Sequence, residues 1–196
     1  MNIVVLAGGL SPEREVSLTS GSLIANALMK NGHRVLLLDV YLGHTFEGDP
    51  LSQFRAEGDY HHTVSTAVPD LAALKEHSGN EDRLVGPGVL TLCQAADVVY
   101  VAMHGGMGED GRLQAWLDCN GIRYTGTGPL GAALSMDKEI SKILLRAAGI
   151  PTPDWIVVRP ALEKDCRTRI LEKIGLPCVV KPCSCGSSVG VSIVES

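Results

Sequence analysis

A chain of 196 residues, 45% hydrophobic and 20% charged, is long enough for a sizeable core and has the profile of a globular protein. Its net charge of -5 and the lack of any long Lys/Arg run exclude an electrostatic nucleic-acid surface. The apolar run Ile3–Leu10 is too short to span a membrane, and with no preceding basic residues or cleavage site it is no secretory signal, so a cytoplasmic protein is expected.

Ile3–Ala7 is a continuous apolar run rich in β-branched residues and ends at Gly8-Gly9, the pattern of a strand buried on both faces ahead of a tight loop. Leu18, Leu23, Ile24, Ala27 and Leu28 then predict a helix over Ser17–Asn31, stopped by Gly32. Val35–Asp39 is a second buried strand. The strand–helix–strand order implies a parallel sheet. Residues 43–92 are polar, contain Asp49-Pro50 and Gly86-Pro87, and predict one short helix, Pro69–His77. They carry no assignable chemistry; His61 and His62, as neighbours on an extended chain, point apart and read as solvated loop histidines.

Asp97–Met103 is a third buried strand, running into His104-Gly-Gly-Met-Gly-Glu-Asp-Gly111 and a helix with Leu113, Trp116 and Leu117 on one face. Ile122–Thr125 reads as a fourth strand and Gly126–Pro129 as a turn. A helix is predicted over Asp137–Ala148, ended by Gly149 and Pro151. The domain boundary falls between Gly126 and Lys138, giving domains 1–133 and 134–196. Beyond it, Trp155–Val158 alternates weakly, a helix is predicted over Leu162–Ile174, and Pro177–Lys181 and Val189–Val194 form a hairpin around a Gly/Ser-rich loop. This second domain therefore has an antiparallel sheet. The six cysteines read as reduced, mostly buried thiols; Cys183-x-Cys185 lacks the further ligands that a metal site needs.

The loop Cys185-Gly-Ser-Ser-Val-Gly190 has the chemistry of an anion cradle. Gly186 and Gly190 let backbone N–H groups approach a ligand, Ser187 and Ser188 add hydroxyl donors, and Lys181 at the end of the preceding strand adds a compact positive charge. A flexible hairpin needs the small residues but not the lysine. The loop is no Walker motif, because Lys181 precedes the glycines. Gly8–Ser17 leaves the carboxyl end of the first strand, where ligands sit in open parallel sheets, yet it lacks the G-x-G-x-x-G dinucleotide pattern. Glu13 and Glu15 suit a helix N-terminus on their own, whereas His104, on a loop at the end of a buried strand, is well placed for a substrate.

Five segments, in order, resemble the signatures of the D-alanine–D-alanine ligase family: Gly8-Gly9 with Ser11–Ser17, His104-Gly105 with Gly108–Gly111, Tyr124–Gly126, Met136–Lys138, and Val180–Pro182 with Gly186–Gly190. The resemblance covers nearly the whole chain apart from residues 43–92. It implies a Rossmann-like parallel-sheet domain that binds substrate, followed by the incomplete first α+β subdomain of an ATP-grasp module. By the same resemblance, Glu13 holds the ammonium of the first D-alanine, Val16 lies beside its methyl group, and His104 and Gly105 line the site near its carboxyl group. Lys138 and Lys181 resemble the two lysines on the ATP phosphates, and Gly186, Ser187, Ser188 and Val189 the loop over them, with Ser187 also bonding Glu13. Cys183 and Cys185 fall at positions that vary in the family.

The implied reaction is ATP-dependent dipeptide ligation through an acyl phosphate, for peptidoglycan precursors, with ATP and Mg2+ as cofactors and a homodimer formed through the first domain. The family's metal ligands, adenine contacts, oxyanion arginine and closing loop lie beyond Ser196, and no metal ligand is assigned within the chain. A truncated, inactive fragment is therefore expected. A D-alanine–D-serine or D-alanine–D-lactate ligase relative and a non-catalytic binding or dimerisation module are the other readings.

Overall fold

The computed structural model describes residues 1–65, 67–79, 83–159 and 165–196. The chain is α/β and divides into two compact units, Met1–Ala133 and Leu134–Ser196.

The first unit is built on a parallel three-stranded sheet in the order β2-β1-β3, with β1 at Asn2–Ala7, β2 at Arg34–Asp39 and β3 at Val98–Val101. The register runs from Asn2 opposite Arg34 to Ala7 opposite Asp39 on one side, and pairs Ile3–Leu6 with Val98–Val101 on the other. As the central strand, β1 has both faces covered, which is why Ile3 to Ala7 are all apolar and buried. Ile3 and Val5 pack with Ala25 and Met29 of helix α1 (Arg14–Lys30). Val4 and Leu6 face the other way, into a cluster with Val89 and Leu92 of α3 (Val89–Ala95) and Leu113 and Leu117 of α4 (Arg112–Cys119); the short helix before these, α2, is Leu71–Ser78. Gly21 is the point of closest approach between α1 and the sheet. A Cβ there would lie 2.8 Å from the Ala7 Cβ and 2.9 Å from Leu37 Cδ1.

Several elements differ from their sequence reading. Helix α1 begins at Arg14, three residues earlier than Ser17. The predicted fourth strand is a single parallel bridge from Tyr124 to Val99, and the third is confined to Val98–Val101, although Ala102 and Met103 remain buried. Residues 43–92 hold a 3-10 turn at Pro50–Gln53 and most of α3 besides α2, which Asp70 caps by accepting from the Ala72 and Ala73 amides. His62 is not a free loop histidine: its Nε2 lies 2.7 Å from Glu15 Oε2 on α1. All six cysteines are free, but only Cys93 is buried.

Helix α5 (Pro129–Met136) carries the chain from one unit to the next. In the second unit, Asp137 caps α6 (Lys138–Ala147) by accepting from the Glu139 and Ile140 amides, and Gly149 follows with φ +73°. Helix α7 spans Cys166–Lys173; the part of its predicted range before Asp165 lies outside the described residues. Strands β4 (Cys178–Val180) and β5 (Ser192–Val194) pair antiparallel, a hairpin as read from the sequence but with a shorter second strand. Among the described residues no helix is long and apolar enough to cross a membrane.

Replacing a solvated mid-helix glycine by alanine ordinarily gains about 1 kcal/mol. Gly21→Ala is expected instead to lose about 1–3 kcal/mol, because the added methyl meets the rigid Ala7 Cβ. Urea unfolding followed by Trp116 fluorescence in a Trp155→Phe background reads the effect; a gain in stability would contradict the close helix–sheet contact.

Candidate functional site

At the carboxyl ends of β1 and β3, two loops meet. The first leaves Ala7 through Gly8 and Gly9, both in the left-handed region at φ +70° and +80°. Neither position tolerates a side chain: a Cβ on Gly8 would lie 2.2 Å from Asp39 Oδ2, and one on Gly9 would lie 2.7 Å from Met103 Cε. The backbone groups exposed by this turn are satisfied from three directions. The Gly8 amide donates to Ser17 Oγ at 2.9 Å, and that hydroxyl donates to the Ala102 carbonyl at 2.9 Å, tying the loop to the end of β3. The Gly9 amide donates to Asp39 Oδ1, and the Gly9 carbonyl accepts from Arg14 at 3.0 Å.

Arg14 and Asp39 are the residues that the sequence reading passed over. The Arg14 guanidinium, its side chain only 9% exposed, pairs with Asp39 Oδ2 at 3.0 Å and lies 3.4 Å from Glu15 Oε1. Asp39 Oδ1 also accepts from the Tyr41 and Leu42 amides. A buried guanidinium with a carboxylate and a carbonyl partner fixes the start of α1 and hence the direction in which Glu13 leaves it.

Glu13 precedes α1 without capping it through its side chain. Its carboxylate turns instead toward the second loop: a Cβ on buried Gly105, at φ +68°, would lie 2.6 Å from Glu13 Oε2 and 2.5 Å from Ser11 Oγ. The structure thus brings Glu13 and Gly105 together, and a glycine is required where they meet. His104, half-buried, faces α1, its Nε2 3.2 Å from Ser20 Oγ. Val16 is exposed on the first turn of α1. The second loop is held from below by Gln114 of α4, which donates to the Gly108 carbonyl at 2.7 Å and whose Oε1 has no partner among the described residues. Glu13, Val16, His104 and Gly105 therefore share one end of the sheet.

In the second unit, a cavity of about 440 Å³ is lined by Lys138 and Lys142 of α6, by residues 153–158, and by Pro177–Cys183, including Lys181. Lys138 and Lys181 share this wall. The Lys138 amide donates to the Cys183 carbonyl at 3.0 Å and its ammonium to the Cys185 carbonyl at 2.5 Å, so one residue pins the loop's entrance at two points. An ammonium has three donors, and two remain for a ligand. Trp155 is stacked under Arg146 and Lys142, at 4.3 and 5.0 Å from the ring centroid. Gly186, Ser187, Ser188 and Val189 lie outside the cavity lining. Ser187 is held in the left-handed region at φ +51°, and Gly190 is packed so closely that a Cβ would lie 2.8 Å from Pro182 Cγ.

Among the described residues no group of three or more His, Cys, Asp or Glu side chains could hold a metal ion.

Residues 2–127 match the family model described as the D-ala D-ala ligase N-terminus, and residues 144–196 match that of the D-ala D-ala ligase C-terminus. The D-alanine–D-alanine ligase of Lacticaseibacillus casei strain BL23 is 39% identical over 100% of this chain and 55% of its own length. Among solved structures, the D-alanine–D-alanine ligase of Bacillus anthracis superposes with a TM-score of 0.65 at 32% identity, covering 100% of this chain and 50% of that one. A structure of the same ligase complexed with ATP gives a TM-score of 0.61 at 31% identity, with the same coverage. The chain spans about half the length of the curated relatives it matches.

Arg14→Met is expected to destabilise the first unit by about 3–5 kcal/mol, because it leaves the Asp39 carboxylate, its side chain 11% exposed, and the buried Gly9 carbonyl without their cation. The same Trp116-monitored urea transition measures it, and a loss below about 1 kcal/mol, typical of a surface pair, would contradict this role.

Proposed function

Because the chain belongs to the D-alanine–D-alanine ligase family, we propose that the protein joins two D-alanine molecules at the expense of ATP, in the cytoplasm, for peptidoglycan precursors. The observation that carries the reading is the Glu13 carboxylate set against Gly105 at the carboxyl ends of β1 and β3. An ammonium needs a fixed counter-charge, and a glycine beside that charge leaves room for a small amino acid.

A carboxylate is a poor electrophile. An oxygen of the first D-alanine's carboxylate attacks the γ-phosphorus of ATP, ADP leaves, and an acyl phosphate results; the amine of the second D-alanine then attacks the carbonyl carbon and phosphate leaves. Glu13 holds the first substrate's ammonium and, by favouring its protonated form, keeps that amine from acting as nucleophile. Val16 lies beside the methyl group, and His104 and Gly105 border the carboxyl group. Residues 1–133 are the substrate-binding domain, and 134–196 part of the ATP-grasp central domain. Within the latter, Lys138 and Lys181 neutralise phosphate charge from one cavity wall, while Gly186, Ser187, Ser188 and Val189 offer backbone and hydroxyl donors to the phosphates. Mg2+ would neutralise charge on the phosphates when bound, and among the described residues no group of three or more His, Cys, Asp or Glu side chains is gathered to hold it. The homodimer through residues 1–133 is part of the same proposal.

Two outcomes test it. In a protein of the relatives' full length that carries these residues, Glu13→Gln is expected to raise the KM for D-alanine through a loss of about 2–5 kcal/mol in binding, since a neutral amide cannot match the ammonium. Unchanged kinetics in an assay of phosphate release would remove Glu13 from the site. For the dimer, sedimentation equilibrium of this chain should give twice its 20.8 kDa mass; a monomer at high concentration would overturn that part.

A further inference from the structure

The cavity of the second unit has a feature that ligation does not use. Two thiols, Cys178 and Cys183, belong to residues that line the same cavity as Lys138, Lys142 and Lys181. Cys178 is half-buried and Cys183 is exposed. The backbone that follows the Cys183 thiol is held, because Lys138 takes the Cys183 carbonyl with its amide and the Cys185 carbonyl with its ammonium.

We propose that Cys183 is a thiol-exchange site that takes anionic low-molecular-weight disulfides, and that the adduct closes the cavity to nucleotide. The inference rests on the nucleotide reading of this cavity only in its second half. The step balances without further reagents. The Cys183 thiol loses its proton to solvent, the thiolate attacks one sulfur of the disulfide, a Cys183–sulfur bond forms as the original sulfur–sulfur bond breaks, and the other half leaves as thiolate. Lys138, Lys142 and Lys181 outnumber Glu139 and Asp154 in the lining, and Asp154 is already paired with Arg146 at 2.7 Å, so the excess of positive charge favours a reagent bearing carboxylates. At about 440 Å³ the cavity is at the small end of the range that holds one compact ligand, so an adduct and a triphosphate compete for it.

The other thiols provide the contrast. Cys93 is buried in the first unit, and burial pushes its thiol up to about 12, which leaves it protonated and inert. Cys119, in the first unit, is exposed like Cys183, but it follows Asp118 directly and is not among the residues that line this cavity.

The test treats this chain with a dicarboxylate aryl disulfide and, separately, with the neutral hydroxyethyl disulfide. Thiolate release gives the rate and peptide mass mapping the position. Cys183 is expected to outpace Cys119 by about tenfold or more with the anionic reagent, the low end of electrostatic steering, and to lose that lead with the neutral one. ATP or inorganic tripolyphosphate should slow labelling of Cys183 and leave Cys119 unchanged. The labelled protein should lose the Trp155 fluorescence response to ATP, regain it with dithiothreitol, and keep it throughout in Cys183→Ser, whose backbone carbonyl still meets Lys138. Equal rates at Cys183 and Cys119 with the anionic reagent would overturn the site even if ATP binds. An anionic preference at Cys183 with no response to ATP would uphold the exchange site and overturn the nucleotide reading instead.

Discussion

The candidate site in the first unit depends on one buried cation. Arg14 sits where β1 has ended and α1 begins, and its guanidinium joins the Gly9 carbonyl to Asp39 at the end of β2. A strand with both faces buried must deliver its chain into a tight turn, and a tight turn exposes amides and carbonyls that cannot remain unpaired in a core. Here Arg14, Asp39 and Ser17 take them up, and Ser17 passes the constraint on to Ala102 at the end of β3. The ends of all three strands are thus fixed by three polar side chains. The Glu13 and Gly105 arrangement follows from that fixing rather than from any contact of its own.

This dependence also explains what could and could not be read locally. The strands β1 and β2 were legible because burial on both faces leaves a run of apolar residues with no alternation. The hairpin β4–β5 was legible because small residues separate two β-branched runs. The first turn of α1 was not, because Arg14 and Glu15 read as solvent-facing residues until their partners, Asp39 and His62, are brought up from 25 and 47 positions away. Helix α3 was missed for a different reason. Seven residues give too little periodicity to separate Val89, Leu92 and Cys93 from a short apolar loop, and its start at Gly88, at φ +73°, carries no side-chain cap. In α5, Pro129 read as the end of a turn, although proline suits the first position of a helix equally well.

The site residues divide along similar lines. Glu13, His104 and Gly105 could be named from sequence motifs, but the reason that position 105 must be glycine lies in the Ser11 hydroxyl and the Glu13 carboxylate pressing on it from another loop. Lys138 and Lys181 were read as a pair of phosphate contacts. The structure adds that Lys138 holds the loop entrance through two carbonyls, so it has a positioning duty that Lys181 does not share. The His62–Glu15 contact had no sequence signal, since residues 59–63 carry no regular pattern. That segment nonetheless runs along α1, with Asn26 donating to Asp59 and Tyr60 and accepting from the Tyr60 amide.

The two units hold their polar residues by opposite means, and the difference bears on what each can tolerate. Around Gly8, side chains satisfy the backbone in a buried setting, where deleting any one partner strands another and the cost is steep. Around Cys183 the bonds run from the amide and ammonium of Lys138 to main-chain carbonyls, which any residue at positions 183 and 185 supplies. Variation in the side chains of that loop is therefore tolerated so long as its carbonyls still meet Lys138. Cysteines can accordingly occupy positions 183 and 185 without disturbing the fold, whereas Gly8, Arg14 and Ser17 have no such freedom.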